Sequence, residues 1–430
     1  MHRRSRLLLS GILVALAFQL EPVAAQLRGH GGPVRALAIS GDGETALSGS
    51  FDSSAILWSL RHDSAKQVLR FHDSAVDAVA FLPDGRAVTA GEDARIALWT
   101  PGKTAPDTVL EGHRGPVVGV ALSPDGMTLA SASWDGTIRL WPLAGGAPIV
   151  LAGYRQNVNG VAFTPDATAV VSAGYDATVR IWPLREPGAP VVATLPTPLN
   201  AVAVAPDGEI AVAGADGQVY FLSPQGERQG SVEALPTPVI ALAMSGDGAR
   251  LAAASIRGAV AIIDRRARTL VRTLVGPGLP VWSLAFFPDN RTLLSGGADR
   301  VIRRWDSNSG AEIGSIPGDG AADPLVAYEG DPGARVFRAC MACHTLSAAE
   351  ANRAGPSLHG IFGRHIATLP GYNYSEPLKH LDIVWTPQTL AKLFEIGPAR
   401  YTPGTKMPEQ QIGSPEDRAA FIKFLERATK

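Results

Sequence analysis

Pro124-Asp125-Gly126-Met127-Thr128-Leu129-Ala130-Ser131 joins a tight turn to an apolar, β-prone run. Asp and Gly suit such turns because both accept backbone angles that other residues avoid. β-prone runs on either side of the turn read as a hairpin. The signal recurs along the chain. Turn aspartates Asp42, Asp84, Asp125, Asp166, Asp207, Asp247 and Asp289 are spaced 40 to 42 residues apart. A fixed period of that length marks a repeat architecture. An apolar segment precedes each turn, as in Val34-Arg35-Ala36-Leu37-Ala38-Ile39. A second marker recurs in phase as Trp58, Trp99, Trp141, Trp182 and Trp305. The fifth and sixth repeats carry Phe221-Leu222 and Ile262-Ile263 there instead. Gly29-His30, His72 and Gly112-His113 form a third marker.

On these motifs the chain resembles the WD40 repeat family over roughly residues 27–317. The resemblance implies a seven-bladed β-propeller with four strands per blade around a channel. It also implies a buried His/Asp/Ser-or-Thr/Trp network in each blade. In the first three blades this would be His30, Asp52, Ser48 and Trp58; His72, Asp93, Thr89 and Trp99; and His113, Asp135, Ser131 and Trp141. Because the pairs repeat with the fold, they read as staples that satisfy buried polar groups rather than as catalytic dyads. Blades five and six lack the Gly-His and Trp signals and share Leu195-Pro196-Thr197-Pro198 and Leu235-Pro236-Thr237-Pro238. Two segments are open to close the last blade: Ala311–Ile316, or the few residues before Gly29.

The first 25 residues read as a secretory signal. Arg3, Arg4 and Arg6 precede the apolar run Leu7–Phe18, and Val23-Ala24-Ala25 offers small residues before a cut. The run is short for a membrane span, which needs about 20 apolar residues. The mature chain is then expected to begin near Gln26, with a bacterial periplasm as its compartment and no membrane span. A net charge of −1 argues against nucleic acid as a partner. Beyond residue 317 the repeat stops. Residues 318–329, beginning Gly318-Asp319-Gly320, read as a linker. Residues 330–430 have a helical flavour at both ends, with Ser414 as a cap, Pro415 in the first turn and acids beside it.

The only two cysteines stand in Cys340-Met341-Ala342-Cys343-His344. Two thiols so spaced can each bond one vinyl group of a haem, and the adjacent histidine can then meet the iron. This is the c-type attachment signature. A thioredoxin-like pair lacks its βαβ context. A zinc site lacks further cysteines. A disulfide would leave His344 without a role. The sixth ligand follows by elimination among five methionines. Met1 leaves with the signal, Met127 and Met244 belong to the repeats, and Met341 lies between the cysteines. Met407 remains, in the rigid loop Tyr401-Thr402-Pro403-Gly404-Thr405-Lys406-Met407-Pro408. His359, His365 and His380 are the alternatives.

Residues 330–430 resemble class I cytochromes c of the mitochondrial and bacterial c2 type. The matching motifs are Cys340–His344, Gly355-Pro356 through Gly363-Arg364, Pro370–Ser375, Trp385 and Tyr401–Met407. The fold class is thus multidomain, an all-β seven-bladed propeller followed by an all-α cytochrome c domain. The resemblance implies one covalent haem c on Cys340 and Cys343, with iron between His344 and Met407. It implies that Pro356 accepts the His344 N–H, and that Arg364, Tyr374, Trp385 and Thr405 hydrogen-bond the propionates. This chain departs from the family where Leu393-Phe394 replace a usual Tyr and Leu378 a common Asn, and one extra residue precedes Tyr401. From Tyr328 onward, 12 Lys and Arg face 10 Asp and Glu, so no strong basic docking face is evident, although Lys392, Arg400 and Lys406 are placed to flank the haem edge. The reading is a periplasmic electron carrier, not an enzyme. Its propeller docks a redox partner such as a dehydrogenase, reductase or oxidase. A propeller active site feeding the haem and a redox or haem sensor are the alternatives.

Overall fold

The computed structural model describes residues 26–185, 188–275, 278–313, 325–337, 340–341, 344–348, 355–372, 374–405, 407 and 411–430. Seven four-stranded antiparallel sheets form the propeller. The first comprises Val34–Ile39, Thr45–Ser50, Ser54–Ser59 and Ser64–Arg70, and the others follow at the repeat spacing. The middle two strands of each blade are almost wholly buried, while the fourth is largely exposed in blades two, three, four and six. This follows from packing sheet on sheet. Val34, Ala46, Ile56 and Trp58 of the first blade meet Leu294 and Ile302 of the seventh, so each blade's core is completed by its neighbour.

The turn aspartate has a more specific task than the sequence reading gave it. Asp42 Oδ1 accepts the amide of Glu44 at 2.9 Å, and Asp84, Asp125, Asp166, Asp207, Asp247 and Asp289 do the same two residues on. Each is an Asx-turn, closed by chemistry within two residues. The next residue takes a positive φ: Gly43, Gly85, Gly126, Gly208 and Gly248 in five blades, Ala167 (53°) and Asn290 (58°) in the other two.

The blade staples form as expected. His30 Nδ1 donates to Asp52 (3.1 Å), Ser48 bonds His30 Nε2 (2.7 Å), and Ser48 accepts from Trp58 Nε1 (2.7 Å). His72–Asp93–Thr89–Trp99 and His113–Asp135–Ser131–Trp141 repeat the pattern. Burial alone would raise the Asp135 carboxyl, but hydrogen bonds from Thr137, the Arg114 amide and His113 hold it at about 2. Blades five and six substitute the whole triad. Register places Leu195, Val212 and Leu222, then Leu235, Ala253 and Ile263, at the three positions, all buried. Replacing every partner together by apolar groups avoids leaving any of them unsatisfied.

Two further features were not legible. Every innermost strand shifts register after its first residue. The skipped residue links its blade to the next: Arg35 to Asp77 at 3.3 Å, Asn159 to the Leu199 carbonyl and Asn200 to the Val239 carbonyl, both at 2.8 Å. Closure is made by Gln26–Arg28, which pairs antiparallel with Val301–Asp306 and completes the seventh blade. Of the two open alternatives it is the N-terminal one. Glu312 adds an isolated bridge to Trp305.

In the C-terminal unit the described residues form a 3₁₀ turn, Val326–Tyr328, and five short helices: α1 (Pro332–Phe337), α2 (Glu376–Lys379), α3 (Pro387–Ile396), α4 (Pro398–Tyr401) and α5 (Pro415–Ala428). Helix is thus present, but much of the unit is loop, and the expectation of an all-α domain is met only in part. Leu325 and Tyr328, expected within the linker, pack into the core of this unit.

Candidate functional site

Helix α1 begins at Asp331, whose carboxylate accepts the amides of Gly333 (2.7 Å) and Ala334 (3.2 Å) and pairs with Arg427 of α5. A Cβ on Gly333 would overlap the α5 backbone at Ala420, so glycine lets the two helices cross closely. Phe337 then packs on Phe421 and Phe424. The His344 amide bonds the Cys340 carbonyl at 2.9 Å. That helical turn puts thiol and imidazole on one face. Cys343 lies outside the described residues. Burial pushes the Cys340 thiol up to about 12.

His344 Nδ1 donates to the Pro356 carbonyl at 2.8 Å. The bond fixes the ring's orientation and places its lone pair on Nε2, the arrangement a metal-binding imidazole needs. Gly355 lies against the other side. A Cβ there would overlap the imidazole. In the sequence only the place of Gly355 just before Pro356 signals this role.

Arg364 donates to the carbonyls of Ser357 (3.0 Å) and His359 and bonds Tyr374. Its backbone carbonyl accepts from the Trp385 amide at 2.9 Å, tying Trp385 to the same loop. Thr386 and Thr389 cap α3 reciprocally. That helix turns Leu390, Leu393 and Phe394 inward. The Met407 loop is held by Ser375 Oγ on the Gly404 carbonyl (2.7 Å) and by Thr405 Oγ1, which accepts the Met407 amide (3.1 Å).

These elements enclose a cavity of about 500 Å³. Cys340, His344, Pro356, Arg364, Tyr374, Trp385, Thr405 and Met407 all line it, so the structure gathers every described residue of the expected haem site. Leu358, Ile361, Leu390, Phe394, Phe421 and Leu425 supply apolar wall. His359, His365 and His380 do not line it. His365 instead faces Asp382 at 3.1 Å, and that carboxylate raises its pKa. Two of the three family departures, Leu378 and Leu393-Phe394, line the cavity as apolar surface. Size, apolar lining and a few convergent polar groups fit a large planar cofactor, and the thiol and oriented imidazole fit a haem. Of the cations expected at its edge, Lys392 pairs with Glu395 at 2.9 Å, and Lys406 lies outside the described residues.

The family model described as Cytochrome c matches residues 330–429. The WD domain, G-beta repeat model matches residues 21–59, 64–100, 105–142, 148–183 and 268–306. The stretch it omits holds blades five and six, whose triads are apolar. Among curated relatives, a cytochrome c of Arabidopsis thaliana is 43% identical over 108 residues, 24% of this chain and 96% of the relative. A cytochrome c of Cochliobolus lunatus is 44% identical over 99 residues, 23% of this chain and 91% of the relative. A cytochrome c type-1 of Ascaris suum is 39% identical over 105 residues, 24% of this chain and 92% of the relative.

Proposed function

Since the chain belongs to the cytochrome c family through residues 330–429 and carries a WD40 propeller before them, we propose that it is an exported single-haem electron carrier whose propeller docks its redox partner. When bound, the haem supplies a one-electron ferric/ferrous couple. Cys340 and Cys343 anchor the vinyl groups. His344, oriented by its bond to the Pro356 carbonyl, would hold the iron through Nε2. Met407 would supply a thioether ligand, which would raise the reduction potential. Arg364, Tyr374, Trp385 and Thr405 bind the propionates. The apolar wall from α3 and α5 excludes water.

One observation carries the ligand choice: Met407 lines the cavity, and the three alternative histidines do not. If His344 and Met407 both held the iron, a substrate would find no open position there, which supports a carrier role over catalysis at this site. The propeller histidines His30, His72 and His113 are consumed by blade staples. Among the described residues no helix is long and apolar enough to cross a membrane. The signal-like first 25 residues and the Cys-x-x-Cys-His motif support a periplasmic site, because bacteria attach such haem outside the cytoplasm.

The test is carbon monoxide added to the reduced holoprotein. An unchanged visible spectrum supports His344/Met407 ligation. Ready binding means an open sixth position and overturns the carrier reading in favour of a catalytic or sensing haem.

A further inference from the structure

The haem crevice is not walled by the cytochrome domain alone. Asp52, Arg70, Phe71 and Asp73 of the propeller, with Ala105 and Pro106, line the same cavity. They belong to the seam between the first and second blades. Arg70 ends the fourth strand of blade one, and Phe71 and Asp73 lead into blade two. The seam is pinned. Gln67 of that fourth strand donates to the Lys103 carbonyl at 2.6 Å and accepts the Gly102 amide at 3.0 Å, joining the strand to a loop of the next blade. On the far side Arg95 lies over the Phe71 ring at 4.5 Å and bonds Asp73 at 2.6 Å.

Among the described residues a cation–π contact crosses the domains with defined geometry. The Arg70 guanidinium sits over the Tyr372 ring, 5.2 Å from its centre. Tyr372 meets Tyr374 edge to face, with centres 4.7 Å apart. Tyr374 in turn bonds Arg364. The propeller therefore touches the aromatic pair beside the proposed propionate ligands, and not the far side of the cytochrome domain.

We propose that the propeller's first docking partner is the cytochrome domain of its own chain. The seam covers the Tyr372–Tyr374 edge of the crevice and screens it from large electron donors and acceptors. The proposal rests on the reading that this crevice holds the haem. Only residues 314–324 connect the described parts of the two domains. A short tether holds its ends at an effective concentration near millimolar, so a modest contact keeps the cover in place. An external partner must then displace the seam, and a small reductant need not.

The experiment uses the full-length holoprotein with Arg70→Leu and Tyr372→Leu, one change on each side of the contact. Hydrogen exchange is read over residues 66–73 and 368–378. Reduction rates are read with ascorbate and with the larger donor reduced flavodoxin. Both variants are expected to lose exchange protection in both segments. The flavodoxin-to-ascorbate rate ratio should rise about tenfold, the scale of a partly desolvated cation–π contact. Unchanged exchange across the seam together with an unchanged rate ratio would overturn the proposal. If Arg70→Leu loosens exchange throughout the propeller, its fold is at fault and Tyr372→Leu alone decides. Carbon monoxide binding by the unaltered protein would sink the ligation reading while leaving the exchange result standing.

Discussion

Tyr154 and Ser172 share a hydrogen bond of 2.8 Å in blade four, where the first three blades place a histidine on the equivalent hydroxyl. Trp182 Nε1 donates to the same oxygen at 2.8 Å, so a phenol has replaced an imidazole without breaking the staple. Burial pushes the Tyr154 hydroxyl well above the ordinary phenol range, and it stays neutral. Tyr154→Phe should cost about 1 kcal/mol, the usual net worth of one buried hydrogen bond. Tyr154→His, which restores the pattern of the other blades, should cost less. Urea midpoints at unchanged m-value would show this. A smaller loss in Tyr154→Phe than in Tyr154→His would mean that ring volume, not the hydrogen bond, holds the blade.

Ala167 takes a φ of 53° at a turn where five other blades use glycine. The left-handed region costs a non-glycine residue about 1–2 kcal/mol, and glycine's extra freedom when unfolded returns part of that. Ala167→Gly should therefore raise the thermal midpoint by a degree or a few. A lower midpoint would show that the turn is relaxed as it stands.

Asp77 gives the propeller a pH response of its own. Burial pushes its carboxyl up to about 7, Arg35 at 3.3 Å opposes this, and Glu92 and Asp93 add to it. Folded Asp77 therefore keeps a proton that the unfolded chain, with an ordinary value of 3.8, has already released. Its contribution to stability is complete below about pH 4 and is lost as pH rises through about 7. Asp77→Asn should match the parent at pH 4 and be more stable at pH 8, by on the order of 1–4 kcal/mol. Parallel pH–stability curves for the two proteins would refute the assignment.

Gly355→Ala drives a methyl group into the His344 imidazole. The 2.8 Å bond to Pro356 should break and the ring should tilt. The reduced variant is expected to bind carbon monoxide where its parent leaves the spectrum unchanged, and to melt earlier when followed at the haem band. A variant indistinguishable from the parent would mean that the loop yields without disturbing the ligand.

The blades were legible because what marks them is local. An Asx-turn closes within two residues, so its aspartate must appear in sequence wherever the turn appears in space. The same holds for the haem motif, whose thiol and imidazole share one helical turn. What escaped was long-range or relational. No local pattern in Gln26–Arg28 says that it will pair with Val301–Asp306. Asn159 and Asn200 carry no local signal of their role, because their partners lie on the next blade. Tyr154 escaped because a different side chain performs the histidine's task. Tyr372 stood inside a quoted motif, but its neighbour Arg70 lies some three hundred positions earlier.

The strand Gln26–Arg28 has a consequence in time. Among the propeller strands this one is synthesised first, yet its pairing partner, Val301–Asp306, is synthesised last. Until then the ring is an unwelded arc whose seventh blade lacks a strand. Pairings of such wide separation make folding slow. If the leader is cut near Gln26 as expected, the cut itself frees the end that makes the weld, and a chain with its leader uncut would carry a hindered clasp.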